Sequence, residues 1–216
     1  MAAAELLTEL QARPLLPILR GLPLRALPAV VPALLASGLR LLEVALNSDE
    51  ALPSLRWLRE RVDPASGLLQ VGAGTVTEPD QLAPALEAGA SFAVTPALRP
   101  EVLREAARLA MPVICGAMTP SEILAAYSGG AVMVKVFPSG ALGPEYFREL
   151  QGPLPHVPLM AVGGVTLQNA AAFLRAGARA LGVGGALQLG RWEDGPSEIT
   201  SAAQAFLEQI ARAEGR

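Results

Sequence analysis

Short apolar segments alternate with longer amphipathic segments along the whole 216-residue chain. The apolar segments are short, rich in leucine and β-branched residues, and end near glycine or proline, which is typical of buried strands. The predicted strands are residues 15–20, 39–46, 68–73, 91–95, 112–115, 131–137, 158–162 and 180–183. Eight strand–helix units in about 200 residues predict an α/β fold, a single-domain (β/α)₈ TIM barrel. A doubly wound open sheet is the alternative architecture.

The composition predicts one domain over residues 1–216, with a short helical extension before the first strand. A hydrophobic content of 51% is sufficient for one large core. The net charge is −3 and no basic run occurs, so we expect no nucleic-acid partner. No apolar run reaches the roughly 20 residues that span a bilayer, and residues 1–10 lack the basic start of a secretory signal. We therefore expect a cytoplasmic protein that does not bind membranes.

Lys135 is the only lysine among the 17 lysine and arginine residues. It lies in the predicted sixth strand, between apolar residues, and Pro138 ends that strand. Apolar surroundings lower the pKa of an amine, and an uncharged amine can attack a carbonyl to form a Schiff base. Arginine cannot replace it there, because its guanidinium stays charged. The alternative is a lysine at a strand end whose ammonium reaches water along its alkyl chain.

Other polar residues fall near the carboxyl ends of the predicted strands, where barrel active sites lie. Glu43 interrupts the apolar second strand, Arg20 ends the first, and Thr75 follows the third. A carboxylate and an amine buried in apolar strands are costly unless they are paired or used, so Glu43 and Lys135 are either a structural ion pair or catalytic groups. Arg20 suits bidentate capture of a carboxylate, with a salt bridge at the barrel rim as the alternative.

Two glycine pairs, Gly163-Gly164 and Gly184-Gly185, follow the predicted seventh and eighth strands. Glycine leaves backbone N–H groups accessible, and barrel enzymes commonly bind phosphate after these two strands. The pairs therefore predict an anion site. The single cysteine, Cys115, and the single histidine, His156, cannot build a Cys/His zinc site or an internal disulfide, so we expect no metal.

Five segments together resemble a known family, the class I aldolases that act on 2-keto-3-deoxy-6-phospho sugar acids. The resemblance extends over about residues 17–187 and is carried by residues 43–48, 72–76, 94–96, 135–139 and 161–165. The family has two sister activities, on the phosphogluconate and on the phosphogalactonate. The phosphogluconate enzyme typically has arginine where Asn47 stands and threonine where Val162 stands. The present chain therefore looks more like the phosphogalactonate enzyme.

The resemblance implies a role for each candidate residue. Lys135 would form a Schiff base with the C2 ketone, and Glu43 would shuttle protons, through water, for cleavage of the C3–C4 bond. The remaining residues would bind substrate: Arg20 and Thr75 the carboxylate, Pro96 and Phe137 the pyruvyl group, and Gly163, Gly164, Gly184 and Gly185 the phosphate. The products would be pyruvate and glyceraldehyde 3-phosphate. No metal or organic cofactor is implied, because the iminium is the electron sink, and family members are typically homotrimers.

Ala186 departs from the family pattern, because the phosphogluconate enzymes commonly place a serine after the second glycine pair. The missing hydroxyl donor would cost about 1 kcal/mol, as for an ordinary hydrogen bond. Either backbone donors suffice, or the substrate carries no phosphate. Two other functions stay open at this point: a phosphate-binding barrel isomerase or synthase, resembling thiamine phosphate synthases, and a non-catalytic barrel that binds sugar phosphates.

Overall fold

A closed barrel of parallel strands forms the centre of the molecule. The structure is a computed structural model, and it describes residues 3–63, 68 and 70–213. Within these residues the strands pair in sequence order and β1 pairs with β8, so the open-sheet alternative is wrong. The strands are β1 Leu15–Leu19, β2 Leu41–Ala45, β3 Gln70–Gly74, β4 Phe92–Val94, β5 Val113–Ala117, β6 Met133–Val136, β7 Leu159–Val162 and β8 Ala178–Val183.

Most of the helices connect successive strands and pack outside the barrel, while the first helix precedes β1 and the last follows β8. Within the described residues they are α1 Ala3–Ala12, α2 Leu27–Ala36, α3 Ala51–Arg59, α4 Leu82–Glu87, α5 Pro100–Arg108, α6 Pro120–Ser128, α7 Ser139–Gln151, α8 Leu167–Arg175 and α9 Pro196–Ala213. The predicted (β/α)₈ order is confirmed. Leu69, part of the predicted third strand, lies outside the described residues, as do residues 1–2 and 214–216 of the predicted domain. In the described part of the chain, none of these helices combines the length and the hydropathy needed to cross a bilayer.

The inward-facing side chains of the strands form a core inside the barrel, separate from the core between the strands and the outer helices. The first helix extends this inner core. Leu6 and Leu10 of α1 are fully buried and cluster with residues that open strands, among them Leu41 and Met133. The predicted N-terminal extension is therefore a helix that covers the amino-terminal end of the barrel, and the opposite end is left for a site.

Two helix starts differ from what the sequence predicts. Ser48 is expected to cap a helix beginning at residue 49, but α3 begins at Ala51 without a side-chain cap. The Ser48 hydroxyl instead accepts a hydrogen bond from the backbone N–H of Gly21, at 2.9 Å. The helix expected from residue 143 forms the main part of α7, after a kink at Gly143 where φ is 73°, and one extra turn from Ser139 precedes the kink. At Ser48 a tertiary hydrogen bond outweighs the local capping signal.

Candidate functional site

The carboxyl end of the barrel opens into a cavity of about 580 Å³. Lys135, Arg20 and Phe137 line it, together with residues of the loops after β7 and β8: Gly163, Gly164, Gly184, Gly185 and Ala186. Candidate residues from four different strands and loops are thus brought to one place. A second cavity of about 580 Å³, at the opposite end, is lined by Leu7, Gln11 and Met133 among others and contains none of the candidates.

Lys135 projects into the cavity from β6. Its neighbours in register are Gly116 of β5 and Met160 of β7, and the residue is only 3% exposed. Burial lowers the pKa of its ammonium below the ordinary 10.5, and the charge of Arg20 lowers the pKa further, while Glu43 acts in the opposite direction. Its Nζ lies 5.0 Å from the centroid of the Phe137 ring. The amine is therefore sheltered in the cavity wall instead of extending from the outer surface.

Glu43 enters the barrel from β2 and is 1% exposed. Burial raises the pKa of its carboxyl above the ordinary 4.5, and the charges of Lys135 and Arg20 oppose this rise. Among the described residues, Oε1 of Glu43 has no hydrogen-bond partner. Burial thus pushes Lys135 towards a free amine and Glu43 towards a neutral carboxylic acid, while their mutual attraction favours the ionised pair.

Gly74, at the end of β3, makes the space that the Glu43 carboxyl occupies. A Cβ at position 74 would overlap Oε1 of Glu43, so an alanine there cannot coexist with the present carboxyl position. One feature of the sequence could have indicated this role: position 74 is a glycine in an apolar strand, next to a strand that carries an acidic residue.

Arg20 follows β1 at the mouth of the cavity and is held by two neutral groups. Its Nη1 donates to Oδ1 of Asn47 at 2.9 Å, and its Nη2 donates to Oγ1 of Thr75 at 3.0 Å. Thr75 adopts φ 59°, a strained conformation for a β-branched residue, and thereby presents its hydroxyl to Arg20. Within the described residues Arg20 forms no ion pair, so the rim salt bridge that was the alternative for this residue is absent there.

Two hydrogen bonds to the glycine pair after β7 fix the direction of two peptide N–H groups. Gly163 and Gly164 have φ of 83° and 76°, which other residues adopt only with strain. The carbonyl of Gly163 accepts from the N–H of Gly140 at 2.7 Å, and that of Gly164 accepts from Nδ2 of Asn169 at 2.9 Å. Because N–H and C=O of one peptide unit point in opposite directions, the amides of Gly164 and Val165 face away from these partners. Both residues line the cavity.

Pro96, Gly184 and Gly185 complete the predicted set. Pro96 does not line the cavity, but its carbonyl lies against Gly116, the register partner of Lys135. Gly184 and Gly185 line the cavity beside Ala186, whose methyl group supplies no hydroxyl. Thr166, which the sequence suggests only as a helix cap, lines the same wall, and its side chain also takes part in the capping box of α8.

Ser139 is a further residue that the sequence gives little reason to select. It is fully buried, its hydroxyl donates to the carbonyl of Val136 at 2.7 Å, and it accepts from the N–H of Val162 at 3.0 Å. Ser139 therefore links the end of β6, which carries Lys135, to the end of β7. In the described part of the chain, no three side chains of the types His, Cys, Asp and Glu lie together as a metal site would require.

Replacing Gly74 with alanine tests whether the Glu43 carboxyl needs this space. We expect the free energy of unfolding to fall by about 1–3 kcal/mol, as for overpacking of a tight core. Urea unfolding measures the change. Gly152→Ala is the matched control, because φ there is −60° and the nearest atom to an added Cβ is at 3.7 Å. Equal stabilities of the two variants would contradict the proposed fit.

Three comparisons with known proteins agree on the family. The chain matches the family model described as aldolase, KDPG and KHG aldolase, over residues 7–195. It is 35% identical to the 2-dehydro-3-deoxy-6-phosphogalactonate aldolase of Escherichia coli strain K12 over 196 residues, which are 89% of this chain and 91% of that one. It is 39% identical to the 2-dehydro-3-deoxy-phosphogluconate aldolase of Pseudomonas aeruginosa over 143 residues, 66% of this chain and 63% of that one.

A solved structure described as native KDPGal gives the same result for the fold. It superimposes with a TM-score of 0.86 at 33% identity, over 94% of this chain and 97% of that chain. The sequence match to the family model and the structural match both cover most of the chain, including the cavity at the carboxyl end of the barrel. On this basis the chain belongs to the KDPG and KHG aldolase family, whose members are lyases.

Proposed function

We propose that this protein is a class I aldolase that cleaves a 2-keto-3-deoxy-6-phospho sugar acid to pyruvate and glyceraldehyde 3-phosphate through a Schiff base on Lys135. The observation that carries the proposal is the buried pair of Lys135, with a lowered pKa, and Glu43, with a raised pKa, beside an open cavity. A free amine and a neutral carboxylic acid are the two groups that imine formation requires.

The reaction follows from these two groups. The amine of Lys135 attacks C2 of the keto acid, and Glu43 protonates the resulting hydroxyl so that water leaves and an iminium forms. The carboxylate of Glu43 then removes the proton of the C4 hydroxyl through a water molecule. The C3–C4 bond breaks, its electrons enter the iminium to give an enamine, and the aldehyde departs. Protonation at C3 and hydrolysis release pyruvate and restore both side chains.

Arg20 holds the carboxylate end of the substrate. Its charge is not neutralised by either of its hydrogen-bond partners, Asn47 and Thr75, so it is available to an anion. Phe137 is 38% exposed at the cavity wall and supplies the apolar surface around the pyruvyl group. Pro96 supports this wall from behind, where its carbonyl lies against Gly116. An exposed aromatic side chain next to a buried amine is suited to a small organic substrate.

The loops after β7 and β8 hold the phosphate. Amides of Gly164 and Val165 are directed away from their internal partners, and the turn at Gly184-Gly185 lies in the same wall. Thr166 offers the hydroxyl that Ala186 lacks. Backbone donors and one hydroxyl are the usual means by which proteins bind phosphate without a fixed cation.

The phosphogalactonate is the preferred epimer in this proposal, because Asn47 and Val162 stand where the phosphogluconate enzyme typically has arginine and threonine. Residues 18–21, 46–48 and 137–139, with Gly143-Pro144, also look more like the phosphogalactonate enzyme. Relatives of both names resemble the chain at similar identity, so the preference depends on these positions and not on overall identity. An isomerase or synthase and a non-catalytic barrel are less well supported, since family membership favours carbon–carbon bond cleavage.

Assembly as a homotrimer and a cytoplasmic location also remain proposals, supported by the resemblance to the family. An apolar surface on α6 is consistent with assembly, since Leu124 and Tyr127 are 41% and 37% exposed and lie three residues apart on one face. Light scattering coupled to size-exclusion chromatography gives the oligomeric state directly.

Borohydride reduction in the presence of pyruvate tests the proposal. We expect a 1-carboxyethyl group on Lys135 and on no other side chain, because the chain has no second lysine. A modified lysine resists trypsin, so a peptide of residues 109–148 replaces the two peptides that end at Lys135 and Arg148. A folded protein that gives no adduct would contradict the proposal.

A panel of four substrates tests which epimer is preferred and whether the substrate carries a 6-phosphate. It contains the two epimeric keto-deoxy sugar acids, each with and without the 6-phosphate, and coupled lactate dehydrogenase reports pyruvate. We expect the phosphogalactonate to give the highest kcat/KM and both unphosphorylated acids to give lower values. A higher value for an unphosphorylated acid would remove the phosphate site from the proposal.

A further inference from the structure

Asn47 lies in the loop between β2 and α3, outside the set of residues assigned to substrate. Its Oδ1 accepts from Nη1 of Arg20 at 2.9 Å, while Oγ1 of Thr75 accepts from Nη2 at 3.0 Å. The two acceptors come from different loops and bind different nitrogens of one guanidinium. A long, flexible side chain at the mouth of the cavity is thereby fixed in direction at two points.

The same loop also holds the backbone that carries Arg20. The hydroxyl of Ser48, the residue after Asn47, accepts from the N–H of Gly21 at 2.9 Å. Asn47 therefore binds the side chain of Arg20, and Ser48 binds the peptide unit that follows Arg20. This double contact explains why Ser48 is not used as a cap for α3.

The chemistry of the acceptor matters as much as its position. An amide oxygen accepts a hydrogen bond from a guanidinium without carrying a charge, whereas a carboxylate at the same place would neutralise it. Both acceptors on Arg20 are neutral, and the remaining N–H groups of the fork stay available to a bidentate anion.

We infer that Asn47 is a positioning residue, which orients Arg20 for the substrate carboxylate while leaving its charge intact. This inference rests on the proposed function, and adds to the epimer preference already attributed to position 47 an effect on the substrate carboxylate that Asn47 exerts through Arg20. Asn47 then governs recognition of the 2-keto acid end, and it leaves the reactivity of Lys135 towards carbonyls in general unchanged.

The test uses Asn47→Asp and Asn47→Ala in the 216-residue chain. Calorimetry measures binding of oxamate, a pyruvate isostere whose amide carbonyl does not form an imine. Borohydride trapping is measured with pyruvate and with acetone, which has no carboxylate. Glu50→Gln is the matched control, because it changes the charge of the same loop by one and Glu50 contacts the N–H of Leu24, not Arg20.

We expect Asn47→Asp to weaken oxamate binding by about 10- to 100-fold, because the aspartate neutralises the charge of Arg20. We expect Asn47→Ala to weaken it by about 3- to 10-fold, because the hydrogen bond that orients Arg20 is lost. Trapping with pyruvate falls in the same order, whereas trapping with acetone stays within about twofold of wild type and so shows that both variants are folded. Glu50→Gln stays at the wild-type level in all three measurements.

Three results would overturn the inference. The first is oxamate binding by Asn47→Asp that equals wild type, and the second is an equal loss of trapping with pyruvate and with acetone. Oxamate that fails to bind the wild-type protein would also overturn it, since no carboxylate is then captured. If the wild-type protein forms no pyruvate adduct, the proposed Schiff base is wrong, but the role of Asn47 is not thereby decided. In that case the oxamate affinities of the variants still test whether Asn47 orients Arg20.

Discussion

Lys135→Arg is expected to abolish aldol cleavage, by at least about 10⁴-fold in kcat, because no other group can form the covalent intermediate. The chain contains no second lysine that could take over. Arginine keeps the positive charge and much of the length of the side chain, but its guanidinium does not lose its proton. Loss of activity in this variant therefore separates a need for a nucleophile from a need for a cation.

The measurement is pyruvate release together with borohydride trapping on a folded variant. A matched control is the double variant Lys135→Arg, Arg148→Lys, which restores one lysine on the outer face of α7, where Arg148 is 62% exposed. We expect this double variant to remain inactive and to form any pyruvate adduct more slowly than the wild type does. Pyruvate release that survives Lys135→Arg would contradict the Schiff-base mechanism. A phosphate-binding isomerase or synthase would instead release no pyruvate even with Lys135 present.

The pH dependence of trapping follows from the surroundings of Lys135. Its pKa is lowered from 10.5, chiefly by burial, so the free amine predominates at a lower pH than for an exposed lysine. The rate of imine formation should therefore rise with pH and reach a plateau below pH 10.5. A rate that continues to rise through that pH would mean that the amine titrates as in water.

The sequence alone predicts the barrel and the strand positions of the two candidate catalytic groups, because both depend on local patterns. Lys135 and Glu43 stand out as charged residues in apolar strands, and parallel strands bring their carboxyl ends together. The two glycine pairs after β7 and β8 are visible for the same reason. These features need only the order of the elements along the chain.

The contacts that shape the site depend on residues distant in sequence, which local patterns do not reveal. The hydrogen bond between Arg20 and Thr75 spans 55 positions, and the link from Ser139 to Val162 spans 23. Ser48 illustrates the limit, because its sequence context predicts a helix cap while its hydroxyl is used by a neighbouring loop. Side-chain pairing across the barrel requires the three-dimensional arrangement.

Glu43→Gln is the second substitution with a large expected effect. The amide has nearly the shape of the carboxyl and fits the space beside Gly74, but it cannot exchange a proton with substrate or water. Loss of general acid–base catalysis lowers kcat by about 10²- to 10⁴-fold. Glu208→Gln, on the exposed face of α9, is the matched control and should leave kcat unchanged.

The pH profile of trapping distinguishes this role from that of an inert ion pair. The charge of Glu43 raises the pKa of Lys135, so its removal lowers that pKa further and shifts the rising limb of the trapping profile to lower pH. A catalytic Glu43 therefore predicts two opposite results in one variant: a lysine that is deprotonated at lower pH, and turnover that is nevertheless slower at every pH. An inert pair predicts the shifted profile without the loss of kcat, because the nucleophile would still be present and no proton relay would be missing.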